Sequence, residues 1–525
     1  MLEWNEILEL RAESAGIRLN NGFRQALNLM EKTNKNVFIT GKAGTGKSTL
    51  LQLFAGITSK KIVVLAPTGV AALNVKGQTI HSFFGFKPDV TLDSIGRVSK
   101  EKRGLYKNLD MIVIDEVSMV RADLLDCVDK FMKINGKKRT IPFGGTQMIL
   151  IGDLYQLPPV VSKGEGGMFR EYYKSEYFFD AEAFRKFKAE FIELEENYRQ
   201  EDERFLKILN DIRDNTVSDE ELKELNKRVD PDFKPPSEDG YVTLVPTNAL
   251  AEKINNDNLN SLPGNEQVFN AILNGDFKKN ELPAKEKIFL KKGVQVMLLN
   301  NDEAKRWVNG SVGVVNSINT ERDSVTINLL EGSEVEVEPH TWKLFKFSYD
   351  SKAKKLVSSV SGRFTQYPIA LAWALTIHKS QGKTFDKVVI DVGNGMFANG
   401  QLYVALSRCR SLKGIILKKG IEKNHVFSDW RVVKFLTDYQ YGKSNEKMSV
   451  EDKIALIKKA IEKRREIEIV YLRPNNEKSK RIISPIKVGM LEYLGKEFVG
   501  VNAFDSKRMK SVNFRVDRIL EMNTV

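Results

Sequence analysis

The stretch Asn36–Leu51, NVFITGKAGTGKSTLL, decides the fold of the first part of the chain. An apolar run is followed by a glycine-rich loop and then by a helical pattern, and residues 41–48 fit the phosphate-loop pattern G-x-x-x-x-G-K-[ST]. Gly41, Gly44 and Gly46 let the backbone curl so that its N–H groups point at phosphate oxygens. The stretch therefore predicts a strand, a nucleotide-binding loop and a helix.

Within this loop, Lys47 is expected to reach the β- and γ-phosphates of a nucleotide, and the Ser48 hydroxyl is expected to ligate Mg²⁺. The context, a strand before the loop and a helix after it, is the one that this pattern requires. The predicted nucleotide-binding residues of the loop are Gly41, Ala43, Gly44, Thr45, Gly46, Lys47, Ser48 and Thr49.

A second apolar run, MIVIDE (111–116), ends in two carboxylates. An acidic pair at a strand end is usually a solvated turn, but this pair follows a phosphate loop at a plausible spacing. Asp115 can hold the magnesium ion through water, and Glu116 can polarise the attacking water. The two motifs together predict nucleotide hydrolysis.

The alternation of apolar runs and helical patterns predicts an α/β fold with two tandem parallel-sheet lobes. Between the strands of the second lobe, short runs separated by turn residues predict an inserted small β-barrel or sandwich. The polar stretch 439–449 is interpreted as a linker to a small β-rich domain. The predicted boundaries are 1–200 for the first lobe with an insertion at about 85–108, 201–304 and 365–438 for the second lobe, 305–364 for its insertion, and 439–525 for the linker and last domain.

The bulk numbers agree with a soluble protein of several domains. The 525 residues exceed one core, since domains usually hold ~100–200 residues. The net charge of +13 suits a polyanionic partner such as nucleic acid, although a solvated basic surface would explain it too. Two distant cysteines predict neither a disulfide framework nor a zinc site. The first residues lack a signal peptide pattern, and no apolar run would cross a bilayer, so we expect a cytoplasmic, nucleoid-associated protein.

Three further residues lie where they can act on a bound nucleotide. Gln156 follows the strand QMILI and can hydrogen-bond a γ-phosphate or the attacking water. Arg199 follows another strand of the first lobe, and Arg408 lies in the second lobe. A guanidinium that crosses a lobe interface can stabilise the charge of phosphoryl transfer, although an arginine taken alone is more often a surface ion pair.

Six segments in this order resemble the motifs of the PIF-type (petite integration frequency) helicases, of the RecD-like branch of superfamily one. The resemblance covers about residues 18–417. It implies two RecA-like lobes and ATP-dependent translocation, 5′ to 3′, on single-stranded DNA, with unwinding of the duplex ahead. The segments are APTGVAALNVKGQTIHSFF, DEVSM, FGGTQMILIGDLYQLPPV, ENYRQEDERFLKILNDIR, TIHKSQGKTFDKVVID and YVALSRCRS.

Residue by residue, the resemblance makes Gln25 the adenine reader, Gln156 the γ-phosphate sensor, and Arg199 and Arg408 the arginine fingers. Lys47, Ser48, Asp115 and Glu116 keep the roles given above. Hydroxyls, amides and lysines at strand ends suit phosphate contacts without base reading. The DNA-binding residues that the resemblance implies are Thr68, Thr79, His81, Thr247, Asn248, His378, Lys379, Ser380 and Gln381.

Aromatic residues near these motifs offer a second way to hold DNA. Phe83, Phe84, Phe86 and Trp307 could stack on bases, but a phenylalanine cluster is more often core, and core is our expectation for Phe83 and Phe84. The four histidines have no metal-ligand spacing, and a histidine at a strand–loop junction is by itself usually structural.

The last domain resembles the WYL family, and the resemblance implies a small Sm-like β-barrel that senses nucleic acid or another ligand and tunes the motor. IVY (469–471) and FRVDRI (514–519) fit the family, whereas EFV (497–499) stands where the naming triplet would be. WYL domains are mostly bacterial, so the resemblance favours a bacterial source. Candidate phosphate contacts, for which a solvated basic face is the alternative, are Arg481, Arg508, Arg515 and Arg518.

Two other classes of protein were weighed against a helicase. A nucleotide-dependent switch would need the phosphate loop and the acidic pair but not the strand-gripping segments of the second lobe. A WYL-type transcription regulator would need a helix-turn-helix before the last domain, and the sequence shows none. A DNA helicase is therefore the prediction.

Overall fold

The fold is that of a computed structural model, and it comprises two units, Met1–Leu209 with Ser218–Val426 and Asn210–Val217 with Phe427–Val525. The first unit holds both α/β lobes, and the second holds the C-terminal domain. The residues that the structure describes are 4–87, 89–161, 169, 171–200, 202–236, 239–275, 277, 282–350, 355–393, 398–474, 477–493, 495–506 and 508–524.

The first lobe is built on a six-stranded sheet of order β3-β2-β4-β5-β1-β6, in which every pairing is parallel. Its central strands are buried along their whole length because both faces are covered, as the continuous apolar runs predict. The strands are β1 (Asn36–Gly41), β2 (Ile62–Ala66), β3 (Gln78–Thr79), β4 (Met111–Ile114), β5 (Gln147–Ile151) and β6 (Ala189–Leu194).

Helices cover this sheet. Leu27, Phe54 and Ile149 lie in one apolar core with the helices that flank the phosphate loop. The helices are α1 (Trp4–Ser14), α2 (Asn21–Lys32), α3 (Lys47–Ile57), α4 (Gly69–Asn74), α5 (Ile80–Phe84), α6 (Lys100–Asn108), α7 (Ala122–Asn135) and α8 (Glu182–Arg185). Helix α6 forms the last nine residues of the insertion predicted at about 85–108.

The second lobe has a four-stranded sheet of order β18-β7-β19-β20, again parallel throughout. Its strands are β7 (Val242–Val245), β18 (Ala374–Thr376), β19 (Val388–Ile390) and β20 (Ile415–Leu417). Its helices are α9 (Glu203–Arg213, which runs into the second unit), α10 (Asp219–Asn226), α11 (Asn248–Ser261) and α12 (Gln401–Leu406). Two RecA-like parallel-sheet lobes, as predicted, therefore stand in tandem.

Antiparallel strands interrupt the second lobe between β7 and β18, and they form sheets of order β14-β13-β12-β11-β17, β15-β16-β9 and β10-β8. Two strands of the five-stranded sheet, β11 and β17, lie outside the range 305–364 predicted for the insertion, because strands on either side of that range complete its hydrogen bonding. Closure of these strands into a barrel stays a prediction. The strands are β8 (Gln267–Asn270), β9 (Ile272–Gly275), β10 (Lys287–Leu290), β11 (Gln295–Leu298), β12 (Val312–Asn319), β13 (Ser324–Leu329), β14 (Glu334–Val337), β15 (His340–Asp350), β16 (Lys355–Gln366) and β17 (Ile369–Leu371).

The second unit contains two helices and an antiparallel sheet of order β24-β23-β22-β21-β25. Helix α14 lays Ile457 and Ala460 against a core that includes Ile467 and Val501. The helices are α13 (Trp430–Lys447) and α14 (Val450–Glu462), and the strands are β21 (Ile467–Leu472), β22 (Lys478–Tyr493), β23 (Lys496–Asp505), β24 (Lys510–Arg515) and β25 (Ile519–Thr524). The Sm-like barrel also stays a prediction.

The segment 439–449, interpreted as a polar linker, is helical through Lys447. Its polar side chains have partners on the neighbouring sheet: the Tyr441 hydroxyl donates to Leu472 O (2.9 Å), and the Ser444 hydroxyl approaches Ile519 O and Leu520 O (3.0 and 2.7 Å). The polarity that suggested a linker therefore reflects bonds to the sheet of this unit.

Short 3₁₀ turns complete the secondary structure; they are Leu92–Ser94, Val117–Met119, Pro142–Gly145, Phe178–Asp180, Leu412–Gly414, Lys423–His425 and Val516–Arg518. A search of the described residues finds no helix with the length and apolarity that spanning a bilayer requires.

Candidate nucleotide site and strand-binding surface

The phosphate loop joins β1 to α3, and its glycines are required by its shape. Gly44 and Gly46 have φ of 84° and 81°, in the left-handed region that favours glycine. A Cβ added at Gly44 would lie 2.7 Å from the Cβ of Arg199, and one at Gly41 would lie 2.7 Å from Leu194 O. The loop is therefore pressed against the segment that follows β6, and no larger residue fits there.

Lys47, the first residue of α3, folds back over the loop. Its Nζ donates to Gly41 O (2.8 Å) and Lys42 O (3.0 Å). Burial lowers the pKa of Lys47, and the negative charges of Asp153 and Glu116 oppose that shift. Ser48 and Thr49 are exposed on the first turn of α3, where the helix dipole favours an anion. The loop thus offers a cation and free hydroxyls at a helix N-terminus.

The acidic pair lies at the end of β4. Asp115 Oδ1 accepts the Glu116 N–H (3.0 Å), and Glu116 is held at a left-handed φ of 51°. Burial, and secondly the charge of Glu116, raises the pKa of Asp115 to about 7. Burial also raises the pKa of Glu116, against the charge of Lys47. Two carboxylates that are costly to ionise side by side indicate a place for a positive charge.

The donor chemistry fits magnesium. The hydroxyl of Ser48 and the carboxylates of Asp115 and Glu116 are the hard oxygen ligands that Mg²⁺ prefers. Glu116 Oε2 is buried and has no hydrogen-bond partner in the described part of the chain. Among the described residues, no group of three or more His, Cys, Asp or Glu side chains could hold a metal ion. In phosphate-loop enzymes, phosphate oxygens of the nucleotide complete the ligands of the magnesium ion.

Gln156, the predicted γ-phosphate sensor, is buried between the two lobes. Its Nε2 donates to Asp153 Oδ2 (3.2 Å), and its Oε1 accepts from Gln381 Nε2 (3.1 Å). Gln381 belongs to the predicted DNA-binding set. The structure thus joins a residue predicted for nucleotide sensing to one predicted for strand binding.

The two predicted arginine fingers lie close together. Arg199 Nη1 donates to Ser407 O (3.1 Å) across the lobe boundary. Arg408 is 1% exposed, and its Nε and Nη2 donate to Val404 O and Ser407 Oγ (both 2.9 Å). Burial, and secondly the charge of Arg199, lowers the pKa of Arg408 to about 9. Two guanidinium groups that repel each other, one buried and one half-buried, suit an anion between the lobes.

Three residues absent from the predicted site hold the phosphate loop. The Ala43 N–H donates to the hydroxyl of Tyr403 (2.9 Å), and Asn197 Nδ2 donates to Ala43 O (2.8 Å). The Tyr198 N–H donates to Gly44 O (2.9 Å). The sequence could have pointed to these residues, since Asn197 and Tyr198 precede the predicted Arg199, and Tyr403 lies five residues before the predicted Arg408.

Gln25, the predicted adenine reader, is exposed on α2. Two residues earlier, Phe23 packs against the loop, because a Cβ added at Gly46 would lie 2.9 Å from Phe23 Cζ. The Tyr198 ring meets the Phe23 ring edge to face at 6.4 Å between centroids. The structure thus places aromatic rings at the loop and leaves the role of Gln25 a prediction.

The predicted strand-binding threonines all lie at the carboxyl ends of parallel strands, the edge where ligands bind in such sheets. Thr68, Thr79 and Thr247 are N-caps, and their hydroxyls accept from Ala71 N (3.3 Å), Ser82 N (3.2 Å) and Leu250 N (3.4 Å). Asn248 is exposed on the first turn of α11, and His81 is half-buried on α5.

The second-lobe segment 378–381 divides into exposed and buried side chains. Lys379 is exposed, and His378 is half-buried with a pKa lowered by burial. Ser380 is fully buried and its hydroxyl donates to Ile377 O (2.8 Å), since it closes the turn after β18. Of this segment, Lys379 has the side chain best placed for a phosphate.

The aromatic residues are core. Phe83, Phe84 and Phe86 are buried, and Phe84 packs on the rings of Tyr106 and Phe131. The expectation for Phe83 and Phe84 is therefore confirmed. Trp307 is 6% exposed, with its indole N–H bonded to Asn300 Oδ1 (3.1 Å). Stacking of Trp307 on a base was the wrong alternative, because the ring lies in the core of the insertion.

The comparisons with known proteins bear on this site. Residues 19–223 match the PIF1-like helicase family. The chain is 33% identical over 437 residues to the ATP-dependent DNA helicase Pif1 of Bdellovibrio bacteriovorus, which spans 81% of this chain and 93% of the relative. This chain belongs to the PIF1-like helicase family. The mouse ATP-dependent DNA helicase PIF1 is 32% identical, over 86% of this chain and 67% of the relative.

Solved structures of PIF1-like helicases have the same fold. Unliganded Pif1 from Bacteroides sp. superposes with a TM-score of 0.74 at 34% identity, covering 81% of this chain and 97% of that one. Bacteroides Pif1 bound to single-stranded DNA gives a TM-score of 0.60 at 35% identity, with the same coverage. This PIF1-like protein is an ATP-dependent DNA helicase by family, and the predicted enzyme class is confirmed.

Residues 452–524 match the WYL domain, so the predicted C-terminal domain is confirmed. Its arginines differ in availability. Arg481 is buried in an ion pair with Asp505 (2.8 Å), which removes it from the candidate phosphate contacts. Arg515 pairs with Asp517 (2.7 Å), whereas Arg508 is exposed.

Proposed function

We propose that this PIF1-like helicase uses ATP and Mg²⁺ to move 5′ to 3′ along single-stranded DNA and to unwind the duplex ahead of it. The observation that carries the proposal is the joint construction of the nucleotide site by both lobes. Arg199 of the first lobe bonds to Ser407 of the second, and Tyr403 of the second bonds to the phosphate loop of the first. A nucleotide held there touches both lobes, so its hydrolysis can change how they sit together.

The geometry supports the following chemical roles. Lys47 and the loop N–H groups hold the phosphates, and Ser48 and Asp115 would hold the magnesium ion. Magnesium, when bound with ATP, neutralises charge on the phosphate oxygens. Glu116 orients and deprotonates the attacking water, and Gln156 senses the γ-phosphate. Arg199 and Arg408 stabilise the charge that develops on the transferred phosphoryl group. Gln25 is proposed to read the adenine from α2.

The strand would run across the carboxyl edges of both sheets. Thr68, Thr79 and His81 would contact it from the first lobe. Thr247, Asn248 and the segment 378–381 would contact it from the second. These groups bind phosphates without reading bases, so the protein would move along any sequence. From the DNA substrate and the bacterial relatives, we propose that the protein acts in the cytoplasm at the nucleoid. The 5′ to 3′ polarity rests on the family.

Strand separation on two partial duplexes, one with a 5′ and one with a 3′ single-stranded tail, tests the proposal. With ATP and magnesium, we expect unwinding of the 5′-tailed duplex alone and its loss in Lys47→Ala. Unwinding of the 3′-tailed duplex would overturn the polarity. ATP hydrolysis on DNA without unwinding of either duplex would make the protein a nucleotide-dependent switch or a translocase.

We propose that the WYL domain modulates DNA binding through its exposed basic side chains. Charge reversal of Arg508 and Lys510 should weaken binding to a single-stranded oligonucleotide. The matched control reverses Lys458 and Lys459, which are exposed on α14 of the same unit. If both pairs weaken DNA binding equally, only the net charge of the domain matters. If neither pair weakens it, the proposed role of the domain in DNA binding is contradicted.

A further inference from the structure

The backbone N–H and the carbonyl oxygen of Ala43 each form a hydrogen bond with a side chain from a distant segment. Asn197 donates to its carbonyl oxygen, and its N–H donates to the hydroxyl of Tyr403, 360 residues away in the chain. Ala43 lies in the middle of the loop whose N–H groups face the phosphates of a nucleotide. A phosphate oxygen and the Tyr403 hydroxyl therefore compete for one donor.

The same hydroxyl makes a second bond across the lobe boundary. Tyr403 donates to Asp153 Oδ2 (3.2 Å), and the ring is 3% exposed. Asp153 Oδ2 also accepts from Gln156 Nε2, the predicted γ-phosphate sensor. A tyrosine hydroxyl has one proton to donate and can accept at the same time, so both bonds are satisfied together. Tyr403 thus connects the phosphate loop with the sensor.

Tyr403 lies on α12 (Gln401–Leu406), and Arg408 follows two residues after the end of this helix. The Ser407 N–H donates to Tyr403 O (2.9 Å), and Arg408 Nε donates to Val404 O, so the guanidinium is fixed to the turn that contains Tyr403. The start of α12 lies against the first lobe, because a Cβ added at Gly400 would be 2.1 Å from Tyr155 O. A shift of Tyr403 therefore moves Arg408 with it.

We propose that Tyr403 is a positioning residue that reports occupancy of the phosphate loop to Arg408. When a phosphate takes the Ala43 N–H, the Tyr403 hydroxyl loses that bond and keeps Asp153, and α12 adjusts so that Arg408 faces the nucleotide. This rests on the proposed function only in taking ATP as the nucleotide. It differs from a role in catalysis, since the tyrosine acts through the arginine.

Tyr403→Phe in the full chain tests this, with steady-state ATP hydrolysis measured at saturating single-stranded DNA. Removal of the competing hydroxyl should lower the KM for ATP about fivefold, the value of one net hydrogen bond of about 1 kcal/mol. Loss of the tether should lower kcat about tenfold, which is about 1.4 kcal/mol. Opposite effects on binding and turnover are what a merely structural residue would not produce.

Tyr106→Phe is the matched control, because Tyr106 is a buried tyrosine whose hydroxyl donates to Phe83 O (3.0 Å) in the core of the first lobe. It should lower the melting temperature and leave KM and kcat within twofold. The proposal is overturned if Tyr403→Phe leaves both constants unchanged, or raises KM, while its melting curve shows a folded protein. If the wild-type protein hydrolyses ATP on DNA but unwinds nothing, the helicase proposal fails and this comparison can still be made.

Discussion

Gln156 of the first lobe and Gln381 of the second are joined by a hydrogen bond of 3.1 Å from Gln381 Nε2 to Gln156 Oε1. Gln156 is also bonded to Asp153 on the nucleotide side, and Gln381 ends the segment 378–381 that is proposed to touch DNA. The bond thus links a residue of the proposed nucleotide site directly to a residue of the proposed DNA site.

Gln381→Ala should reduce the ratio of DNA-stimulated to DNA-free ATP hydrolysis about tenfold, since it removes this link. The comparison variant is Lys379→Ala, which removes an exposed cation from the same segment. Lys379→Ala should weaken DNA binding and reduce its salt dependence, with stimulation recovered at saturating DNA. Full stimulation of Gln381→Ala at saturating DNA would contradict the link.

Arg408→Ala should lower the kcat for ATP hydrolysis by at least about 10³-fold, the effect expected of an arginine finger. Arg408→Lys should not restore it, because one ammonium group cannot reproduce the fork that bonds to Val404 O and Ser407 Oγ. The control is Arg410→Ala, two residues further on, whose side chain is 64% exposed and pairs with Asp386. A similar loss in Arg410→Ala would contradict a specific role for Arg408.

Asp115 predicts a pH-dependent stability. Its pKa in the folded protein is about 7, above the value of 3.8 for a free aspartate. Between about pH 4 and pH 7 the folded state therefore binds the proton more tightly than the unfolded state does. Stability from this group is therefore lost as pH rises from about 4 to 7. Asp115→Asn, which keeps an oxygen for the Glu116 N–H, should stabilise the protein by about 2–4 kcal/mol at pH 8 and have little effect at pH 4.5.

Melting curves in EDTA at the two pH values measure this difference. Asp438→Asn, at an exposed ion pair with Lys434, should shift the melting temperature little at either pH. A gain for Asp115→Asn that is the same at both pH values would show that ionisation is not its cause.

Ser444→Ala should destabilise the C-terminal unit by about 1–3 kcal/mol. The hydroxyl lies against Ile519 O and Leu520 O and accepts a hydrogen bond from Lys453 Nζ (2.9 Å). Lys453 is a buried residue, 1% exposed. Thermal unfolding of the full chain checks this, with the exposed Ser506→Ala as control. A neutral result for Ser444→Ala would restore the interpretation of this segment as a linker.

Local patterns predicted much of this structure. The runs NVFIT, MIVI and QMILI are strands within one or two residues of the predicted positions, because a strand buried on both faces is apolar throughout. The phosphate loop followed equally well, since the left-handed φ of Gly44 and Gly46 is a local property of the backbone. Neither needs knowledge of a distant partner.

The rest depends on partners far along the chain. The polar residues of α13 were interpreted as a linker because the carbonyl groups that they bond to, in β21 and β25, lie 31 to 76 residues later in the sequence. Tyr403 was not among the predicted site residues, since its partner Ala43 lies 360 residues away. Trp307 looked available for stacking because only the folded insertion shows what covers it.

The capping threonines carry one more consequence. A hydroxyl that accepts a backbone N–H still has its own proton to give, so Thr68, Thr79 and Thr247 each present a donor that the helix start holds in a fixed direction. Aspartate would serve equally well as a cap but has no proton to offer and would set a negative charge facing the strand. Exchange of threonine for aspartate at Thr68 and Thr247 would therefore keep the helix caps while repelling the polyanion, and it would separate capping from the proposed DNA contact. Thr79 is buried, so a carboxylate at that position would also cost stability.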